Sequence, residues 1–222
     1  MPPHDQKDTK ERILDAAERL FSESGFSGTS LRNITAEAEV NLAAVNYHFG
    51  SKEGLIEEVF SRRLGPMNRE RIALLDALEA RGTTNDPCLR EIVEAFVGPP
   101  LRLSVDPELG GIAFMRLLGH AMTQPSARIR LLLTSQFRDV ALRFVSAIRR
   151  AVPELSETEA VWRVMFMAGA MGHALAFGEQ VTEMYGDLVC DRGEQTLARR
   201  LVPFLAEGLR APAATLETEG AQ

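Results

Sequence analysis

The sequence predicts an all-α protein, on three observations. Apolar residues recur at helical spacing along almost the whole chain, strand-like alternation is nearly absent, and hydroxyl or amide residues stand just ahead of the apolar runs, where helices start. The first helix is expected over about residues 7–24, with Ile13, Ala16, Ala17, Leu20 and Phe21 on one stripe. Gly25, free to enter the left-handed region, is its stop. Thr29 and Ser30 offer hydroxyl caps to a short second helix over residues 31–38, and Asn41 caps a third over residues 42–49. Gly50 breaks the chain, and Ser51 caps a long fourth helix from Lys52. Residues 80–87 read as a loop, and Pro99-Pro100 and Asp106-Pro107 as breaks. Pro125-Ser126 opens a helix to about Ala151, ended by Val152-Pro153. Ser156 with Glu159 is a capping-box pattern for a helix to about Gln180. The last helix is expected over residues 191–210, kinked at Pro203. The small, polar tail, residues 211–222, is expected to be disordered.

The 222 residues carry 25 basic against 31 acidic side chains, a formal net charge of −6. That balance argues at first against nucleic acid, whose binding is driven by cations displacing counterions from phosphates. Net charge is a whole-molecule sum, however, and a DNA contact needs only a local face. No apolar run approaches the roughly 20 residues of a membrane span, and the polar N-terminus lacks the apolar core of a signal peptide. Cys88 and Cys190 are too few and too far apart for a disulfide framework or a thiolate metal site. A cytoplasmic protein with no membrane partner is expected.

Residues 29–52 are the most informative segment. Leu31, Ile34 and Ala38 can pack inward from the second helix and Val45 and Phe49 from the third, across the short link Glu39-Val40-Asn41. This is the spacing of a helix-turn-helix, which stiffens one helix so that its outer face enters a major groove. That face carries Leu42, Ala43, Ala44, Asn46, Tyr47 and His48. Small alanines permit close approach and can touch a thymine methyl, Asn46 can pair bidentately with adenine, and Tyr47 and His48 can reach phosphates. Lys52 stands at a helix N-terminus, where its ammonium and the free N–H groups can hold one phosphate. Thr29, Ser30 and Arg32 can do the same from the second helix. Ser30 and Ser51 serve equally well as plain caps, and Tyr47 and His48 as ordinary surface rings.

The run Ile13-Leu-Asp-Ala-Ala-Glu-Arg-Leu-Phe, then Gly25-Phe, Thr29-Ser-Leu-Arg and Val45-Asn-Tyr-His-Phe-Gly-Ser-Lys52, resembles the N-terminal domain of TetR-family regulators over about residues 10–60. The resemblance implies a homodimeric, all-helical, ligand-released DNA-binding protein, usually a repressor. It implies phosphate contacts at Thr29, Tyr47, His48 and Lys52 and base reading at Leu42, Ala43, Ala44 and Asn46. Residues 1–63 depart from a basic DNA coat, with 8 basic and 11 acidic residues, so few ionic phosphate contacts are expected.

The expected organisation is a helix-turn-helix DNA-binding domain over residues 1–60 and a helical effector-binding and dimerisation domain over residues 61–210. From Leu75 onward no nucleophile elbow, P-loop or zinc-protease motif occurs, so neither an enzyme nor a cofactor is expected. His120 and His173 lack carboxylates at ligand spacing, so no metal is expected. Candidates to line an apolar pocket are Phe114, Met115, Leu118, Met122, Phe137, Met165, Phe166, Met171 and Phe177, methionine being adaptable to varied ligands. Ordinary core packing is the alternative for each. Phe114-Met-Arg-Leu-Leu-Gly119, Trp162-Arg-Val with Phe166-Met, and Leu201-Val-Pro-Phe-Leu-Ala with Gly208 resemble the PsrA-like regulators. That resemblance implies a long-chain fatty acid or acyl derivative as effector. Arg116 or Arg163 can supply a cation at the pocket mouth, or pair with Glu159 or Asp139 instead. The small residues Ala168-Gly-Ala-Met-Gly172, with the leucine stripe of the last helix, can form a four-helix dimer interface or pack within the chain. A two-fold dimer implies a pseudo-palindromic double-stranded operator. The rival from another class is a helical lipid carrier, for which residues 42–52 have no purpose.

Overall fold

A computed structural model of the chain describes residues 8–81, 88–123, 127–189 and 194–212. Every regular element among them is helical. Four helices follow in order at the front: α1 (Thr9–Gly28), α2 (Leu31–Glu37), α3 (Leu42–Phe49) and the long α4 (Lys52–Glu79). Behind them come α5 (Leu89–Val105), a 3-10 turn (Pro107–Leu109), α6 (Gly111–Thr123) and α7 (Ala127–Ala151). The chain closes with α8 (Glu157–Ala176), α9 (Gly178–Tyr185), a second 3-10 turn (Gly186–Val189) and α10 (Glu194–Arg210). The expected loop before Cys88, the Pro125-Ser126 helix start, the first residues of the expected last helix and most of the expected tail lie outside the described residues.

Ser30, Asn41, Ser51 and Ser156 cap their helices as expected, Thr29 does not, Glu159 pairs with Arg163 instead of closing a box on Ser156, and two boundaries differ. Gly25, at φ +69° and ψ 174°, stops the first helical run as expected, and a short run as far as Gly28 follows the kink. Pro99-Pro100 lies inside α5 instead of breaking it. Pro100 offers no N–H to the Phe96 carbonyl, and the Arg71 guanidinium supplies that bond from α4 at 2.8 Å. The single helix expected over residues 156–180 is interrupted at Phe177, where α8 gives way to α9. At Asp106-Pro107 the chain does turn, and the Asp106 carboxylate accepts from the Glu108 N–H at 2.9 Å.

One contiguous apolar core runs from Ile13 to Leu209. Helix α4 passes without a break through residue 60, where the sequence suggests a domain boundary. It buries Leu55, Val59, Phe60 and Leu64 toward the front and Met67, Leu75 and Leu78 toward the back. Phe21, Phe26, Phe60 and Phe114 form a chain of rings at 5.3, 6.0 and 5.9 Å that ties α1 to α4 and α6. Beside it sits Glu18, a buried carboxylate on α1. Arg63 Nε donates to Glu18 Oε2 at 3.0 Å and Arg63 Nη1 to the Glu108 carbonyl at 2.8 Å. Arg62 donates through Nη2 to the same carboxylate and through Nη1 to Asp15 at 2.8 Å and Glu11 at 3.0 Å. Gly110, at φ +105°, leaves room for this cluster, since a Cβ there falls 2.6 Å from Glu18 Oε1.

Removing the shared carboxylate leaves two largely buried guanidinium groups side by side, Arg62 keeping Asp15 and Glu11 and Arg63 losing its acid. Glu18→Ala is therefore expected to cost about 3 kcal/mol of stability in urea unfolding; a loss below about 1 kcal/mol equates the cluster with a surface ion pair.

Candidate functional site

Helix α3 is fixed at both ends by its own sequence. At its start Asn41 Oδ1 accepts from the Ala44 N–H at 2.9 Å, as Ser30 Oγ does from Asn33 at 3.1 Å for α2. At its end Gly50 turns the chain at φ +73°, and Ser51 Oγ caps α4 by accepting from the Gly54 N–H at 3.1 Å. Gly54 is required there, because a Cβ runs into the Phe49 carbonyl oxygen. The turn before α3 places Glu39 at φ +51° and is held from α1 by Arg12. Its Nη2 donates to the carbonyls of Ala38 at 2.5 Å and Glu39 at 3.1 Å. Sequence reasoning missed Arg12, because a basic residue beside an apolar stripe carries no spacing signal for a distant turn.

With Val45 buried and Phe49 packed on the core, α3 turns Leu42, Ala43, Asn46 and Tyr47 to solvent. Tyr47 is 85% exposed, its ring edge-on to half-buried His48 at 5.0 Å, and Ala44 lies at the margin of the face. Arg32 is exposed on α2. Thr29 does not share this surface. It is 3% exposed, and its hydroxyl is directed at the Gly25 and Leu20 carbonyls at 2.9 and 3.0 Å. The expected phosphate contact by that hydroxyl is thus replaced by closure of α1 after its kink. Lys52 spends one of its three donors on the Phe26 carbonyl and retains the others. Lys10, Arg12, Arg19, Arg62 and Arg63 all pair with carboxylates. Among the described residues up to Arg63, this leaves Arg32 and Lys52 as the cations without an acidic partner.

The pocket candidates divide. Phe114, Met115, Leu118 and Met171 are buried, and Phe137 packs on the core. Phe177 is half-buried and stacks on His173 at 4.8 Å. Met122, Met165 and Phe166 are instead 50, 58 and 64% exposed, and so line no interior. Arg163 is not at a pocket mouth. It pairs with Glu159 at 2.8 Å and donates to the Leu209 and Ala211 carbonyls at 2.8 and 2.6 Å, capping the negative end of α10. Arg116 lines an open groove of about 560 Å³ between α1, α4 and α6, beside Asp15, Glu18 and Arg62. Among the described residues no group of three or more His, Cys, Asp or Glu side chains is arranged to hold a metal, and no helix is long and apolar enough to cross a membrane.

Two family models match the chain. Residues 13–59 fit "Bacterial regulatory proteins, tetR family", and residues 94–208, more than half of the chain, fit "Tetracyclin repressor-like, C-terminal domain". The chain belongs to the TetR family. A stretch of 53 residues is 47% identical to the probable HTH-type transcriptional regulator YttP of Bacillus subtilis, covering 24% of this chain and 26% of that protein. Another of 49 residues is 41% identical to IcaR of Staphylococcus aureus, a negative transcriptional regulator of a biofilm operon, covering 22% and 26%. These matches span about a quarter of the curated relatives' length. In fold, 89% of the chain superposes on 98% of the transcriptional regulator FadR from Bacillus subtilis, solved with stearoyl-CoA, at a TM-score of 0.68 and 12% identity.

Within this TetR-type front end, Thr29 separates a structural hydroxyl from a DNA-contacting one. Thr29→Val is expected to cost about 1 kcal/mol of stability while leaving the affinity for DNA at fixed salt unchanged. A loss of DNA affinity of roughly 5-fold or more at fixed salt restores the hydroxyl to the phosphate surface.

Proposed function

We propose that the protein is a homodimeric cytoplasmic repressor that binds a pseudo-palindromic double-stranded DNA operator through two copies of α3 and leaves it when a small apolar effector binds the domain of residues 61–210. The observation that carries the reading is the outer face of α3. The helix is immobilised by Asn41, Gly54 and the Arg12-held turn, yet it offers Leu42, Ala43, Asn46 and Tyr47 to solvent, where the fold makes no use of them. Asn46 reads adenine, the alanines meet thymine methyls, and Tyr47, His48, Ser30, Ser51, Arg32 and Lys52 take phosphates. The negative regulation named for IcaR favours repression.

Dimerisation is supported by an apolar face that the described residues leave exposed. Trp162, Met165 and Phe166 stand out from α8, with Gly169 and Gly172 leaving open space beside them, and Phe204 stands out from α10 beside Gly208. Two copies of this helix pair form a four-helix interface. The effector is a long-chain fatty acid or acyl derivative, a reading supported by the PsrA-like motifs and by the stearoyl-CoA bound to FadR. It acts by favouring a dimer geometry in which the two α3 helices miss their half-sites, and the effect is limited by its differential affinity for the two geometries.

Binding is tested by fluorescence anisotropy on an operator selected from random duplexes. With Arg32 and Lys52 from each protomer at phosphates, log K against log salt is expected to fall with a slope of about −4, and a slope steeper than about −6 contradicts the site. Tyr47→Ala is expected to weaken operator binding roughly 10-fold or more with effector uptake intact. Phe166→Glu combined with Phe204→Glu is expected to yield a monomer in light scattering and to abolish tight operator binding; a surviving dimer rejects this interface.

A further inference from the structure

Arg71 on α4 is 2% exposed in the interior behind the DNA-binding unit. Its Nε donates to the Phe96 carbonyl left free by Pro100, which uses one of the five guanidinium donors. The rest of the group has only weak neighbours. Asn68 Oδ1 lies 3.3 Å from Nη1, Met171 Sδ lies 3.7 Å from Nη2, and the guanidinium carbon sits 4.1 Å over the Phe96 ring. Asn68 directs its amide N–H to the Gln136 carbonyl at 2.8 Å. No carboxylate among the described residues pairs with Arg71, whereas Arg62, Arg63 and Arg163 each have one. Burial pushes the Arg71 guanidinium down to about 9, so it stays charged at neutral pH at a desolvation cost that the Phe96 carbonyl and ring, Asn68 and Met171 offset only in part. A neutral donor serves the Phe96 carbonyl as well, so the charge exceeds what the fold requires.

We propose that Arg71 receives the head group of the effector, and that this head is a carboxylate on an apolar chain. The proposal rests on the effector reading above and specifies its chemistry. The guanidinium stands where α4, α5, α7 and α8 meet. Phe96 and Phe144, edge to face at 5.0 Å, and the flexible Met171 thioether supply apolar surroundings. One buried positive charge is balanced by one negative charge, which a carboxylate brings and a phosphate dianion exceeds. The planar fork of the guanidinium also matches the two carboxylate oxygens. A free fatty acid is therefore favoured over its coenzyme A thioester, whose acyl end carries no charge.

The test titrates the purified full chain with oleate, oleyl alcohol and oleoyl-CoA, following binding calorimetrically and operator release by anisotropy. Oleate is expected to bind roughly 30-fold or more tightly than oleyl alcohol. Arg71→Met is expected to reduce oleate to the level of the alcohol and leave the alcohol's affinity unchanged. Its urea midpoint is expected to change little, because removing a buried charge that lacks an acid offsets the loss of the donor to the Phe96 carbonyl. Arg71→Lys is expected to keep part of the preference for oleate. Equal affinity for oleate and oleyl alcohol in the wild type overturns the proposal even if Arg71→Met does not fold. So does unchanged oleate binding in Arg71→Met, or a joint loss of stability and of both ligands. If the alcohol or the thioester releases the operator as well as oleate does, the head-group proposal fails and the effector reading stands; if none of the three binds, both fall.

Discussion

A single carboxylate, Glu18, holds the helix that opens the DNA-binding unit against the helix that leaves it. Arg62 and Arg63 converge on it from adjacent positions of α4, and Arg63 continues to the carbonyl of Glu108 beyond the end of α5. The exposed pairs elsewhere, such as Arg102 with Glu70, contribute about 1 kcal/mol or less because water and salt screen them. The Glu18 cluster is largely shielded and shared among three segments of chain, so its loss leaves two guanidinium groups side by side with only partial hydration. The neighbouring Phe60–Phe114 contact fixes the same joint through dispersion and burial. Front and back of the molecule are therefore fastened by two chemistries at one place.

The features legible in the sequence are those whose cause is local. Ser30, Asn41 and Ser51 cap the helices they precede, since a cap needs only its own next three residues. The inward and outward faces of α3 follow from helical periodicity. Features set by distant partners were not legible. Pro99-Pro100 signals a break on any local rule, and α5 persists through it because Arg71 from another helix satisfies Phe96. Met165 and Phe166 are apolar at helical spacing, as are Met167 and Met171, but spacing does not reveal that one pair faces outward and the other inward.

The arginines carry the same lesson for charge. Glu159, one turn before Arg163, marks that arginine in the local sequence, but nothing local separates Arg71 from Arg116, yet among the described residues the first lies in apolar surroundings without an acid and the second lines a charged groove. The net charge of −6 also acquires a use. Acidic residues of the N-terminal unit neutralise most of its described cations within the fold, so that the proposed recognition surface consists mainly of an amide, hydroxyls and aromatic rings. Such a surface gains little from indiscriminate attraction to phosphates and depends on fit.

That dependence gives the contact between Gly54 and the Phe49 carbonyl a mechanical meaning. With no slack between α3 and α4, the pair behaves as a rigid lever whose fulcrum is the Arg62–Arg63 anchorage, about 15 Å along the axis from its tip. A tilt of roughly 10° at the fulcrum sweeps the tip through about 2.5 Å, nearly the length of a hydrogen bond. An angular change of that size thus suffices to put every base contact proposed for α3 out of reach at once.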